Sequence, residues 1–186
     1  MKKILTVAAL AVSLTVAANA AENTVGTGAG VYNNKVVATL QMHKNLDTNI
    51  DANMQLITQY NSIADINYKI NDYTKIGLGL QIDTIDYTKT VTTVGLNDAV
   101  TTTTTTKELS TVNTFVKLTV MPCDFLNVYV KASKDFITGG ANVLVANVKD
   151  VDITANVEYT NRYNTELKDT NMQNYVNATV AVNYKF

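Results

Sequence analysis

The sequence predicts an all-β fold: a closed up-and-down antiparallel transmembrane β-barrel of ten strands, with eight strands as the alternative. Three observations point there. Apolar and polar residues alternate with a period of two along most of the chain, the mark of strands with one greasy face. The other face carries too many charges for a dry core, because burying unpaired ions costs several kcal/mol apiece. Charge is also missing from the middle of the greasy face, where Arg or Lys would cost roughly 2–4 kcal/mol at a bilayer midplane.

The compartment is read first, from the N-terminus. Lys2 and Lys3 precede an apolar run, Ile4 to Val16, that ends in Ala18-Asn19-Ala20. That pattern predicts a secretory signal peptide over residues 1–20, leaving one barrel domain over 21–186. The apolar run is shorter than the roughly 20 residues a membrane-spanning helix needs. Two of the fifteen basic residues leave with the signal and all sixteen acidic ones stay, so the mature net charge is −3. With no basic patch or stripe, no nucleic-acid partner is expected. Thr, Val and Tyr are abundant, which favours strands.

Strands are expected at about 23–32, 35–43, 49–60, 64–71, 75–84, 110–121, 125–133, 141–149, 151–161 and 174–186. The first two are joined at Asn33-Asn34, a two-residue turn that needs positive φ, which Asn tolerates. That turn dictates Val31 opposite Val36, Ala29 opposite Ala38, Thr27 opposite Leu40 and Val25 opposite Met42. All four pairs lie on the greasy face, while Gly26, Gly28 and Gly30 oppose Gln41, Thr39 and Val37. A slip of one residue would destroy the agreement. In the third strand Ile50, Ala52, Met54, Leu56, Thr58 and Tyr60 oppose Asp51, Asn53, Gln55, Ile57 and Gln59. The fourth sets Ala64, Ile66, Tyr68 and Ile70 against Asp65, Asn67 and Lys69. The fifth sets Ile76, Leu78, Leu80 and Ile82 against Gly77, Gly79, Gln81 and Asp83.

The sixth strand places Val112, Thr114, Val116, Leu118 and Val120 against Asn113, Phe115, Lys117 and Thr119. The seventh opposes Leu126, Val128, Val130 and Ala132 to Asn127, Tyr129, Lys131 and Ser133. The eighth is apolar on both faces. A tight turn at Lys149-Asp150 puts Val148 opposite Val151, which predicts Leu144, Ala146 and Val148 outside and Val143, Val145 and Asn147 inside. The ninth sets Val151, Ile153, Ala155, Val157 and Tyr159 against Asp152, Thr154, Asn156, Glu158 and Thr160. The tenth sets Val176, Ala178, Val180, Val182, Tyr184 and Phe186 against Asn177, Thr179, Ala181, Asn183 and Lys185. The eight-stranded alternative starts at Ile50, leaves 21–48 in the periplasm and keeps the same parity.

This parity names the lumen-facing set: Asp51, Asp65, Lys69, Asp83, Lys117, Tyr129, Lys131, Asp152, Glu158 and Lys185. Outward aromatics collect near strand ends, with Tyr60 and Tyr159 at one rim and Tyr68, Phe125, Tyr184 and Phe186 at the other, as in an interfacial girdle. Connections after even-numbered strands are short. Among the others, Ile85 to Leu109, Lys134 to Gly140 and Arg162 to Gln173 are expected as long loops, the usual asymmetry of membrane barrels.

The C-terminal run Thr179-Val180-Ala181-Val182-Asn183-Tyr184-Lys185-Phe186 resembles the signature that closes bacterial outer-membrane barrels. It has a polar residue at Thr179, a small one at Ala181 where that family usually has Gly, and aromatics at Tyr184 and Phe186. The resemblance to small porin-like outer-membrane proteins implies insertion into the bacterial outer membrane by the barrel-assembly machinery, with outer-membrane lipid around the chain. It implies no particular cargo.

Candidate chemistry is sparse, and no enzyme, cofactor or metal site is expected. His43 is the single His, expected in the lumen opposite Thr24, where it reads as a polar wall residue and not as a base. Asp83, Asp86 and Asp98 could gather at the outer rim as a cation site, but solvated rim charges are the stronger reading. Cys123 is alone and lacks activating neighbours. Thr101 to Thr106, inside the expected long loop, suits either a surface contact, including one carrying O-linked sugar, or a loose tether. The lumen stays open to two readings: Gly26, Gly28, Gly30, Gly77 and Gly79 leave room for a narrow pore for small solutes, or Tyr129 and Phe115 fill it. The expected role is an envelope-structural and surface-display barrel. An adhesin or receptor binding a surface ligand and a lipid-modifying enzyme are the alternatives, and a soluble lipocalin-like barrel with inverted faces is the structural one.

Overall fold

The computed structural model describes residues 23–58, 60–94, 100–164, 166–167, 170 and 172–186. The expected signal peptide and cleavage site lie outside the described residues, as do Gln59 and Asp98. Ten antiparallel strands close into a barrel in sequence order: β1 (Thr24–Tyr32), β2 (Lys35–Asp47), β3 (Ile50–Ile57), β4 (Asn61–Asn71), β5 (Thr74–Val94), β6 (Val100–Cys123), β7 (Leu126–Ala132), β8 (Phe136–Val148), β9 (Val151–Arg162) and β10 (Asn174–Lys185). Pairing of β1 with β10, from Thr24 opposite Lys185 to Tyr32 opposite Asn177, closes the ring. A closed ring leaves no unpaired backbone edge in hydrocarbon, the condition a spanning sheet must meet.

The β1–β2 hairpin turns through Asn33 and Asn34 at φ of 45° and 63°, and its register matches all four outward pairs expected from the sequence. The remaining walls keep the alternation. On β4, β5, β6, β7, β9 and β10 the outward aliphatics are largely exposed, and their polar neighbours turn inward and are mostly buried. That inversion of an ordinary globule, with Leu78 67% exposed and Asp83 0% exposed, is the solvent signature of a lipid-facing exterior. Ala52 and Met54, although on the outward parity, are buried.

Two segments differ from expectation. Residues 85–94 and 100–109 do not form an irregular loop: β5 and β6 continue past the wall as a two-stranded ribbon, paired from Ile85 opposite Leu109 to Val94 opposite Val100. Threonine occupies both faces, so there is no polar contrast to read, yet its branched Cβ favours extended backbone and the facing hydroxyls of Thr90 and Thr104 lie 3.4 Å apart. The second difference is β8, which begins at Phe136, inside the segment expected as a loop. A bulge between Leu144 and Ala146 resets its parity against β9. Ala146 and Val148 point outward as expected. Before the bulge the faces are exchanged: Leu144 reaches the lumen, while Val143 lies on the outer face and Val145, 61% exposed, is the extra residue.

Candidate functional site: the lumen

The β2–β3, β4–β5, β6–β7 and β8–β9 turns share one end of the barrel, the turn end, with Thr24 and Lys185, and the ribbon, the Asn33-Asn34 turn and the β9–β10 connection mark the other, the loop end. The lumen changes character between them. At the turn end it is an open polar cup of about 580 Å³. Four lysines in it are matched with carboxylates: Lys75 with Asp51 at 2.6 Å, Lys117 with Asp65 at 3.1 Å, Lys131 with Glu158 at 2.7 Å and Lys185 with Asp152 at 3.1 Å, while Asp124 stands exposed at the rim. Carboxamides bind the network together. The Asn67 amide donates to Asp51 at 2.7 Å and Asp65 at 2.6 Å, and the Asn53 amide donates to the same two carboxylates at 3.1 and 2.9 Å. The Tyr129 hydroxyl lies 2.6 Å from Glu158 and 2.8 Å from Asn156. His43 stands opposite Thr24 with its ring nitrogens against the amides of Asn53 and Asn45.

Midway along, aromatic rings fill the space that glycines leave. Phe115 covers Gly79, and a Cβ on Gly140 would lie 2.6 Å from Tyr129 Cζ. Phe115 packs on Ile63 and on Phe136, ring centroids 6.4 Å apart, forming the floor of the cup.

At the loop end buried side chains crowd the lumen. Asp83 receives Arg162 Nη2 at 3.0 Å, Asn61 Nδ2 at 2.6 Å and the Gln81 amide at 3.0–3.1 Å. Arg162 also donates to the Tyr175 hydroxyl at 2.9 Å and lies over that ring. Tyr32 donates to the Tyr175 hydroxyl at 3.2 Å, tilts against its ring and stacks on Tyr60 at 5.3 Å. Val37, Ile57, Ile85, Tyr87, Leu167 and Met172 complete this cluster.

Most residues assigned to the lumen from the sequence meet in these layers. Asp51, Asp65, Lys117, Tyr129, Lys131, Asp152, Glu158 and Lys185 line the cup. Asp83 is not a solvated rim charge: Arg162 and two amides enclose it. Lys69 is corrected too, because its ammonium leaves the lumen for Asp72 in the β4–β5 turn, 2.7 Å away, where it holds the Asp72 carboxyl below its ordinary range. Tyr60 is not an outward girdle residue. The β3 strand stops at Ile57, so strand parity no longer aims its ring, which folds over Tyr32 instead. Tyr68, Phe125, Tyr159, Tyr184 and Phe186 are exposed on the outer surface or at turns; Thr179 and Ala181 face inward and are buried. Asp86 remains at the rim, 4.0 Å from Lys35. Among the described residues no group of three or more His, Cys, Asp or Glu side chains is placed to hold a metal.

Sequence reasoning passed over Lys75, Arg162, Tyr32 and Tyr175. Lys75 was within reach, since it shares the parity of Gly77 and Gly79. Tyr32 and Tyr175 stand 143 residues apart and meet only because the barrel closes.

No family model matches the chain, and no curated protein matches it. Solved structures resemble it in fold. The KdgM porin is 11% identical, with 88% of this chain covering 99% of that one at a TM-score of 0.43. The outer-membrane protease OmpT from Escherichia coli is 8% identical, with 89% covering 93% at 0.49. The toluene transporter TbuX from Ralstonia pickettii is 11% identical, with 81% of this chain spanning about half of that one, 48%, at 0.37. The likeness is one of barrel architecture.

Proposed function

We propose that this porin-like barrel sits in the bacterial outer membrane as a closed, non-enzymatic envelope protein, with its turn end toward the periplasm and its β5–β6 ribbon displayed at the cell surface. The observation that carries the reading is the filled loop-end lumen, where the Arg162–Asp83 pair and the Tyr32, Tyr87 and Tyr175 rings leave the cup blind. A ten-stranded barrel is near the size whose interior side chains fill. Assembly by the barrel-assembly machinery through Thr179, Ala181, Tyr184 and Phe186 belongs to the same proposal. Purified protein in planar bilayers is expected to give no discrete conductance steps, and a variant carrying Tyr32→Ala with Phe115→Ala is expected to give them. Steps from the unaltered protein would refute closure.

A second reading, a surface adhesin or receptor, is favoured by one feature: the threonine-rich segment is an ordered ribbon, not a tether. Deleting residues 88–106 keeps Ile85, Tyr87 and Leu109, the ribbon residues that pack into the plug. The shortened barrel is therefore expected to keep its heat-modifiable migration while cell attachment falls. Unchanged attachment argues for display without adhesion.

A further inference from the structure

We propose that the cup is a binding site for an uncharged, polyhydroxylated solute of oligosaccharide type, entering from the turn end. The cup's volume, about 580 Å³, falls within the range of small-molecule sites. Its chemistry decides the class. Lys75, Lys117, Lys131 and Lys185 are each held by a carboxylate, so an anion would have to break a formed ion pair to gain a partner, and the one lining carboxylate outside these pairs, Asp124, is exposed at the β6–β7 turn, where water screens it and a cation gains little. The lining carboxamides Gln41, Gln55, Asn127 and Asn142, by contrast, make no side-chain hydrogen bond to any other described residue. Each offers a donor and an acceptor, the complement of a hydroxyl that does both.

Their placement is not scattered. Gln41 and Gln55 are cross-strand partners on β2 and β3, and Asn127 and Asn142 are cross-strand partners on β7 and β8. In a ten-stranded ring β2 and β7 are five steps apart, so the two amide pairs face each other across the lumen. The proposal does not depend on whether the barrel conducts, since a blind cup and an open one present the same wall.

The test is titration calorimetry on the full barrel folded in detergent, with maltose, sucrose and trehalose as neutral probes, galacturonate as anion and putrescine as cation. Saturable heat is expected from at least one neutral sugar, with both charged probes at least tenfold weaker. Removing both walls with Gln41→Leu and Asn142→Leu is expected to weaken that sugar at least tenfold while heat-modifiable migration persists. Should that variant fail to fold, Gln55→Ala with Asn127→Ala decides by the same criterion. Silence from all three sugars, tighter binding of a charged probe, or wild-type affinity in a folded two-wall variant overturns the proposal.

Discussion

Arg162→Met is expected to be the most damaging single substitution in the lumen, at about 3–5 kcal/mol. The guanidinium is 2% exposed and its partner Asp83 is 0% exposed, so neither charge reaches water to recover what the other gave it. Methionine keeps an unbranched apolar stem beside Tyr175 but leaves Asp83 with only the neutral amides of Asn61 and Gln81. The Tyr175 hydroxyl loses a donor as well. Removing both charges together, with Asp83→Leu and Arg162→Met, is expected to restore most of the loss, because the penalty belongs to the stranded charge and not to the missing attraction. Guanidinium unfolding of the barrel in phospholipid vesicles measures both. A single-variant loss below about 1 kcal/mol, or a double variant worse than the single, contradicts a buried ion pair at this position.

The ease with which the fold can be read from the sequence varies along the chain, for physical reasons. On β4, β5, β6, β9 and β10 aliphatic or tyrosine side chains hold most outward positions while charged, amide, hydroxyl or small residues hold most inward ones, so the two faces declare themselves without any long-range knowledge. The Asn33-Asn34 turn adds register, because two adjacent positive φ values leave a single way to pair the flanking strands. The β8 strand carries neither cue. It is apolar on both sides, and the bulge at Val145 shifts the parity by one, so the turn at Lys149-Asp150 predicts the strand correctly only as far as that bulge. The ribbon hides differently: with threonine on both faces, period two leaves no trace, and only the β-branched composition remains to be read.

The site was less legible than the wall. Local alternation tells that Asp83 and Lys117 point inward but not which partner each meets, because pairing depends on the shear and closure of the ring. Asp83 finds Arg162 from β9, and Lys117 finds Asp65 from β4. Position relative to a strand end matters equally. Tyr60 and Arg162 sit where strands stop or start, and there a shift of one or two residues decides whether a side chain obeys parity or folds over the mouth. The proposed plug rests on these end residues, which is why local alternation leaves pore and plug both standing.

Leu78→Arg tests the exterior. Leu78 lies on the outer face of β5, with Ile66 and Val116 beside it on β4 and β6, all of them exposed. If water surrounded this wall, an arginine there would extend into solvent and change stability by no more than about 0.5 kcal/mol. Surrounded by acyl chains near the bilayer centre, the same side chain is expected to cost about 2–4 kcal/mol. Depth supplies an internal control. Val148, also outward and exposed, adjoins the Lys149-Asp150 turn, where a long basic side chain reaches the headgroups and the cost is expected to fall to about 0–1 kcal/mol. Vesicle unfolding of both variants therefore separates lipid from water by a gradient, not by a single value. Equal and negligible losses at the two positions would return the greasy face to an aqueous setting and the charged lumen to an unexplained core.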